Sequence, residues 1–337
     1  MKLRGGLFGC GMISEFHLRG WLRIPEVEIV ALGNRTIAKA EQRRQQFVPD
    51  ARVYSSLETM LERERLDFVD ILTAPALHRE HCLLARDAGV HVICQKPLCD
   101  TLQNARELAR EMAGHPRLFA VHENHRYRPW FQVIREKLRA GFFGQPSLVK
   151  LEHLNAMSPP AAGYKSVVEQ GVLLEYGSHL VDMMRSLLGE PARVYARMHR
   201  LNPSVRGESI VHAVYEYPDT TALVEVGWKS AAMTQGAVLV VGAEGEAWYE
   251  GTLTRGQTAR FRLSRGNQVV HDEARCPYDD YVESFYELER ECADVMLGHR
   301  AGVTQTAAEQ LKTLACTFAA YESAASGAVA ENRKDIR

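Results

Sequence analysis

The chain has almost no surplus of charge: 41 Lys and Arg stand against 42 Asp and Glu, a formal net charge of -1. With no basic surplus and no Lys/Arg-rich run interleaved with aromatics, it offers nothing to neutralise a phosphate track, so no nucleic-acid partner is expected. The seven cysteines (Cys10, Cys82, Cys94, Cys99, Cys276, Cys292, Cys316) are odd in number and never spaced as CxxC. That argues against a disulfide framework and for buried thiols in a reducing compartment. No stretch approaches the roughly 20 apolar residues of a membrane span. The opening apolar run is too short and too glycine-broken for a signal peptide, so a cytoplasmic protein without a membrane partner is expected. Repeats and low-complexity tracts are missing. Neither HExxH nor GxSxG occurs, and His78-Arg79-Glu80-His81 has the wrong order for a metal pair. In His122-Glu123-Asn124-His125 alternate residues of a strand would point to opposite sides. No metal is expected.

What is present is an ordinary globular composition, 46% hydrophobic over 337 residues, enough for two domains with sizeable cores. At the N-terminus Leu7-Phe8 runs into Gly9-Cys10-Gly11-Met12-Ile13-Ser14, and a helix-like segment with Phe16, Leu18, Trp21 and Leu22 follows. Strand, glycine turn and helix in that order make a dinucleotide cradle. Gly9 permits the tight turn, Gly11 keeps no Cβ between backbone and pyrophosphate, and the helix N-terminus offers N–H groups to the phosphates. The ribose-gripping acidic residue is expected about 20 residues on. Asn34 takes that place beside Arg35. Asn removes the repulsion of a 2′-phosphate and Arg adds a bidentate donor, which favours NADP over NAD; otherwise Arg35 is a solvated loop residue.

Strand-like and helix-like segments then alternate to about residue 121, which predicts right-handed crossovers and a doubly wound parallel sheet. Ligands of such sheets lie outside the carboxyl ends of the strands. Those ends carry Gly9, Asn34, Thr73-Ala74-Pro75, Gln95-Lys96-Pro97 and His122-Glu123-Asn124. A lysine at such an end can donate to a substrate hydroxyl or carbonyl, although on residue type alone a solvated loop lysine is commoner.

Beyond residue 122 a helix (130–140) precedes many strand-like segments joined by turns such as Arg265-Gly266-Asn267, which predicts an α+β domain on an antiparallel sheet. Within it, Gln170 to Gly189 reads as one long helix with a glycine C-cap. Glu175 and His179, four apart, share a face, with Asp182 one turn further. A carboxylate one turn from a histidine can orient a general base, or the two are a plain ion pair. Two amphipathic helices (about 281–295 and 307–321) close the chain.

Together these motifs resemble the glucose-fructose oxidoreductase / inositol dehydrogenase / MocA family. The likeness rests on Gly9-Cys10-Gly11, Thr73-Ala74-Pro75-Ala76-Leu77-His78, Gly89 through Leu98, Asn124-His125-Arg126-Tyr127-Arg128-Pro129, Leu174 through Asp182 and Tyr321 through Gly327. It implies an N-terminal Rossmann domain (1–122) and a C-terminal α+β domain (123–337). The second would carry a large open sheet for homodimer or homotetramer contacts, and helices able to pack back on the first. The resemblance implies catalysis by Lys96 and His179 with support from Glu175. It implies a cofactor held by Gly9, Gly11, Met12, Ile13, Asn34, Arg35, Thr73, Pro75, His78, Gln95, Lys96 and Asn124, and a substrate met by Lys96, Arg126, Glu175 and His179. Tyr164, Lys165, Trp228 and Lys229 are weaker candidates for the pocket. Three departures stand out: Gln95 for the usual Glu, Glu175 for the usual Asp, and Gln170-Gly171 for a glycine pair. The expected activity is hydride transfer between a nicotinamide and a secondary alcohol of a sugar, inositol or related polyol. A redox-neutral, cofactor-dependent glycosidase or lyase is the alternative, and a cofactor-sensing regulator a remote third.

Overall fold

The computed structural model describes residues 2–155, 164–228, 235–254 and 258–332. It divides into one unit made of Met1–Asn124 with Val282–Leu311 and another made of His125–Tyr281 with Lys312–Arg337.

In the first unit β1 (Leu3–Phe8), α1 (Ser14–Trp21), β2 (Val27–Gly33), α2 (Ile37–Phe47), β3 (Arg52–Tyr54), α3 (Leu57–Arg63), β4 (Phe68–Ile71), α4 (His78–Asp87), β5 (His91–Gln95), α5 (Leu102–Glu111) and β6 (Phe119–His122) alternate as expected. The six strands pair in parallel in the order β3-β2-β1-β4-β5-β6. Strand order reverses beside β1, so the ends of β1 and β4 form the switch point where such sheets bind ligands. Central strands are covered on both faces, and Phe68, Val69, Asp70 and Ile71 of β4 are all buried. Serine and threonine start two helices by capping: Ser56 Oγ accepts from Thr59 N and Thr101 Oγ1 from Asn104 N. The late segment Val282–Leu311 closes the β6 edge, where Val121 N donates to Gln305 O at 2.9 Å and Ala120 bridges Thr306.

The second unit opens with α6 (Pro129–Arg139), β7 (Pro146–Asn155), α7 (Tyr164–Val167) and α8 (Ser178–Leu188). The strands β8 (Arg193–His199), β9 (Ile210–Glu216), β10 (Thr221–Trp228), β11 (Gln235–Gly242), β12 (Gly245–Glu250), β13 (Ala259–Arg265) and β14 (Gln268–Arg275) follow. Then come α9 (Pro277–Met296), α10 (Ala307–Ser326) and β15 (Ala330–Glu331). Nine strands form one sheet ordered β14-β13-β12-β11-β7-β10-β9-β8-β15, antiparallel except for the β7–β10 pair. One face carries the core: alternate residues of β12 (Gly245, Ala247, Tyr249) are buried, and Trp130 of α6 stacks on Tyr249 with centroids 4.0 Å apart.

The expected single helix from Gln170 to Gly189 is two pieces. Leu173–Gly177 forms a π-helical turn that runs into α8, which ends at Gly189 with φ +78°. Such turns hold one residue more than an α-turn and cluster at functional sites. The four-residue spacing of Glu175 and His179 therefore starts in a wider turn than an α-helix provides.

Among the described residues no helix is long and apolar enough to cross a membrane. All seven cysteines are free, and burial pushes the Cys10 thiol up to about 12.

Candidate active site

The glycine loop hangs between the two central strands. Gly9 takes φ +117°, and a Cβ there would lie 2.6 Å from the Leu72 carbonyl, so only glycine fits. A Cβ on Gly11 would meet nothing within 4 Å: the loop is open where a pyrophosphate approaches. Helix α1 has Ile13 at its N-cap, which supplies no side-chain cap, and Met12 beside it is exposed. Open glycine backbone against an uncapped helix start suits a dinucleotide's phosphates.

Around this loop several expected ligands have other duties. Asn34 Oδ1 accepts from Cys10 N at 3.0 Å and its Nδ2 donates to Thr36 O at 2.9 Å, so the amide ties the glycine loop to the end of β2. Arg35 is exposed. Sequence reasoning missed Arg43, whose Nε donates to Ser14 Oγ at 3.1 Å and Nη2 to Gly11 O at 3.4 Å; a helical arginine carries no motif, so no signal announced it. His78, expected among the cofactor ligands, stands in the first turn of α4. It is fully buried, its Nδ1 3.0 Å from Pro97 O and its Nε2 2.9 Å from Thr73 O, and burial lowers its pKa. It staples the loop after β4 to the loop after β5. Thr73 Oγ1 lies 3.0 Å from His81 Nδ1, Pro75 opens a short 3-10 turn, and Asn124 Nδ2 donates to Ser284 Oγ at 2.7 Å inside the unit.

Gln95 ends β5, and Lys96 follows it into a cis Lys96–Pro97 bond. The Lys96 N–H donates to Gln95 Oε1 at 2.8 Å, and Gln95 Nε2 lies 2.8 Å from His17 Nε2.

In the second unit His179, in the first turn of α8, is buried in a stack of rings. His125 lies over it with centroids 3.7 Å apart and planes 20° from parallel. Tyr176 meets both edge-on at 5.4 Å, its hydroxyl is 3.2 Å from His125 Nε2, and His153 stacks on it at 3.8 Å. Arg128 Nη2, 3.2 Å away, donates to the same His125 Nε2. These flat neighbours fix the His179 ring. Of them, His125, Arg128 and Tyr176 lay in motif runs, and nothing in the sequence announced His153.

Glu175 is held by Lys165 at 2.8 Å. Arg126, expected to meet substrate, is buried and pairs through Nε and Nη2 with both carboxylate oxygens of Asp182, 2.6 Å on the Nε side. This pairing sets the orientation of the guanidinium. Asp182 also accepts from Thr313 Oγ1 at 3.1 Å. Lys229 lies outside the described residues.

Residues 3–123 match the oxidoreductase family with an NAD-binding Rossmann fold, and residues 131–248 the GFO/IDH/MocA C-terminal domain. The D-apiose dehydrogenase of Paraburkholderia graminis is 32% identical over 349 residues, covering 98% of this chain and 90% of that enzyme. The D-apiose dehydrogenase of Rhizobium rhizogenes is 26% identical over 338 residues, 97% of this chain and 96% of that one. An oxidoreductase from Agrobacterium radiobacter, solved with NAD+, L-tartaric acid and magnesium, superposes with a TM-score of 0.86 at 24% identity, over 98% of this chain and 99% of that one. The expected alternation of a parallel and a mostly antiparallel sheet is the fold of these proteins. The chain belongs to the GFO/IDH/MocA oxidoreductases and is an NAD(P)-dependent dehydrogenase.

Proposed function

We propose that the protein moves a hydride between a nicotinamide and a secondary alcohol or ketone of a sugar or related polyol. The observation that carries this reading is the full-length likeness to an enzyme acting on D-apiose. Gly9, Gly11 and the start of α1 hold the dinucleotide phosphates, and when bound the nicotinamide supplies the hydride acceptor. Lys96 donates an ammonium N–H to the substrate oxygen and stabilises the charge that grows there. His179, its ring fixed by His125 and Tyr176, takes the hydroxyl proton on an imidazole nitrogen. Glu175 hydrogen-bonds a neighbouring hydroxyl, its carboxylate aimed by Lys165. NADP is favoured, because no carboxylate follows β2 and Arg35 is exposed to meet a 2′-phosphate. The second unit's sheet joins copies into a dimer or tetramer, a role supported by its exposed Trp248, Val269 and Val270.

The test follows near-ultraviolet absorbance of reduced nicotinamide with NAD or NADP and a panel of apiose, inositols, glucosides and sugar acids. Lys96→Ala and His179→Ala are each expected to lower turnover roughly 1000-fold or more with dinucleotide affinity kept. An active double variant would overturn the assignment. Release of phenol from an aryl glycoside without net reduced cofactor would move it to the redox-neutral reaction.

A further inference from the structure

Gln95 stands where relatives of this family usually carry Glu, and the consequence runs inward. The Lys96 backbone N–H can only donate, so Gln95 Oε1, 2.8 Å away, is the acceptor, and this fixes which way the amide points. Gln95 Nε2 is then a donor toward His17 Nε2 at 2.8 Å. That nitrogen must present its lone pair. The imidazole proton therefore sits on Nδ1 and is donated to Asp70 Oδ2 at 2.7 Å, the same oxygen that accepts from Trp21 Nε1 at 2.8 Å. His17 and Asp70 have no solvent exposure.

The other groups facing His17 are the His122 ring at 4.0 Å, the Phe285 ring at 5.0 Å and the Glu289 carboxyl, 3.5 Å from Nδ1. Burial, reinforced by the Asp70 charge, pushes Glu289 well above the usual carboxylate range. One nitrogen or oxygen each from His17, His122 and Glu289 lies within 4.8 Å of the others, a spacing that invites a metal ion. His17 has no lone pair left for one, since Nδ1 carries the proton and Nε2 receives the Gln95 amide.

We propose that His17 is a positioning residue for Lys96, acting through Gln95. Asp70 holds the imidazole in its Nδ1–H form, the imidazole fixes the Gln95 amide, and the amide fixes the backbone from which the Lys96 side chain departs. The Gln at 95 and this tautomer specify one another. A carboxylate there has no proton to donate and would call for a proton on His17 Nε2. The proposal rests on Lys96 acting at the substrate, but its first tests need no substrate.

Nitrogen NMR of the full-length protein labelled at histidine reads the tautomer directly. His17 is expected with a protonated Nδ1 and a bare Nε2 in the wild type, and with Nε2 protonated in Gln95→Glu. Two substitutions separate this strut from a role in packing alone. His17→Gln keeps an oxygen that can accept from Gln95; His17→Asn keeps a donor to Asp70 and loses Gln95. Gln95→Ala and His17→Asn are expected to speed exchange of the Lys96 amide about tenfold and to lower kcat roughly 10- to 100-fold, His17→Asn at unchanged KM for the dinucleotide, with His17→Gln staying near wild type. A protonated Nε2 in the wild type, a His17→Gln variant as impaired as His17→Asn, or unaltered Lys96 exchange in Gln95→Ala would overturn the proposal. Should the His17 variants fail to fold, the wild-type spectrum and the Gln95 variants still decide it. If no substrate turns over, the exchange and tautomer results stand on their own.

Discussion

Acid should find one specific weakness in the second unit. His153 on β7 is fully buried against Tyr176, and burial, with a smaller push from the Arg128 guanidinium, lowers its pKa to about 3. In the unfolded chain an imidazole titrates near about 6.5. Between those values the unfolded state binds a proton that the native state refuses, so unfolding free energy falls with falling pH by about 1.4 kcal/mol per unit. This contribution is fully present above about pH 6.5, and by about pH 4 it has diminished by about 3 kcal/mol, a sizeable part of the ~5–15 kcal/mol that holds a domain together. His153→Phe keeps a flat ring for the Tyr176 stack and removes the titration. His91, lowered to about 4 by burial, is common to both proteins and cancels. Urea unfolding at neutral pH and near pH 4 should show the wild type losing about 3 kcal/mol more than His153→Phe over that interval. Equal losses would refute the argument.

Two further predictions address the loop and the buried ion pair. Gly9→Ala should destabilise the first unit by about 1–3 kcal/mol, through its positive φ and the Leu72 carbonyl at 2.6 Å, whereas Gly11→Ala should leave the melting temperature unchanged and weaken dinucleotide binding roughly tenfold; calorimetry and cofactor titration tell them apart. Arg126→Ala should cost about 3–5 kcal/mol by leaving Asp182 buried without its counter-ion, and Arg126→Met with Asp182→Leu should recover much of the loss in urea unfolding.

Much of the architecture was legible because it rests on local periodicity. Alternating strand and helix patterns before residue 122, and strand after strand beyond it, specify the two sheets directly. The glycine loop was equally plain, since Gly9 answers a local backbone need. What sequence spacing could not convey is which partner each polar side chain finds. Asn34, His78 and Arg126 occupy motif positions, yet each is bonded to a neighbour from another element: the Cys10 amide, the carbonyls of Thr73 and Pro97, the Asp182 carboxylate. The π-turn at Leu173–Gly177 escaped for a different reason: one extra residue in a helix leaves the apolar pattern almost unchanged. Arg43 and His153 carry no signal at all, because their importance comes from long-range packing.

The first unit is assembled from two stretches of chain with all of 125–281 between them. A ribosome therefore delivers β6 long before its partners at Gln305 and Thr306. At ~5–20 residues per second that interval is roughly 10–40 s. Throughout it, the backbone of Ala120 and Val121 is a raw strand edge, open to pairing with another nascent chain. The order of synthesis, rather than the stability of the finished protein, thus sets when this molecule is most vulnerable to aggregation.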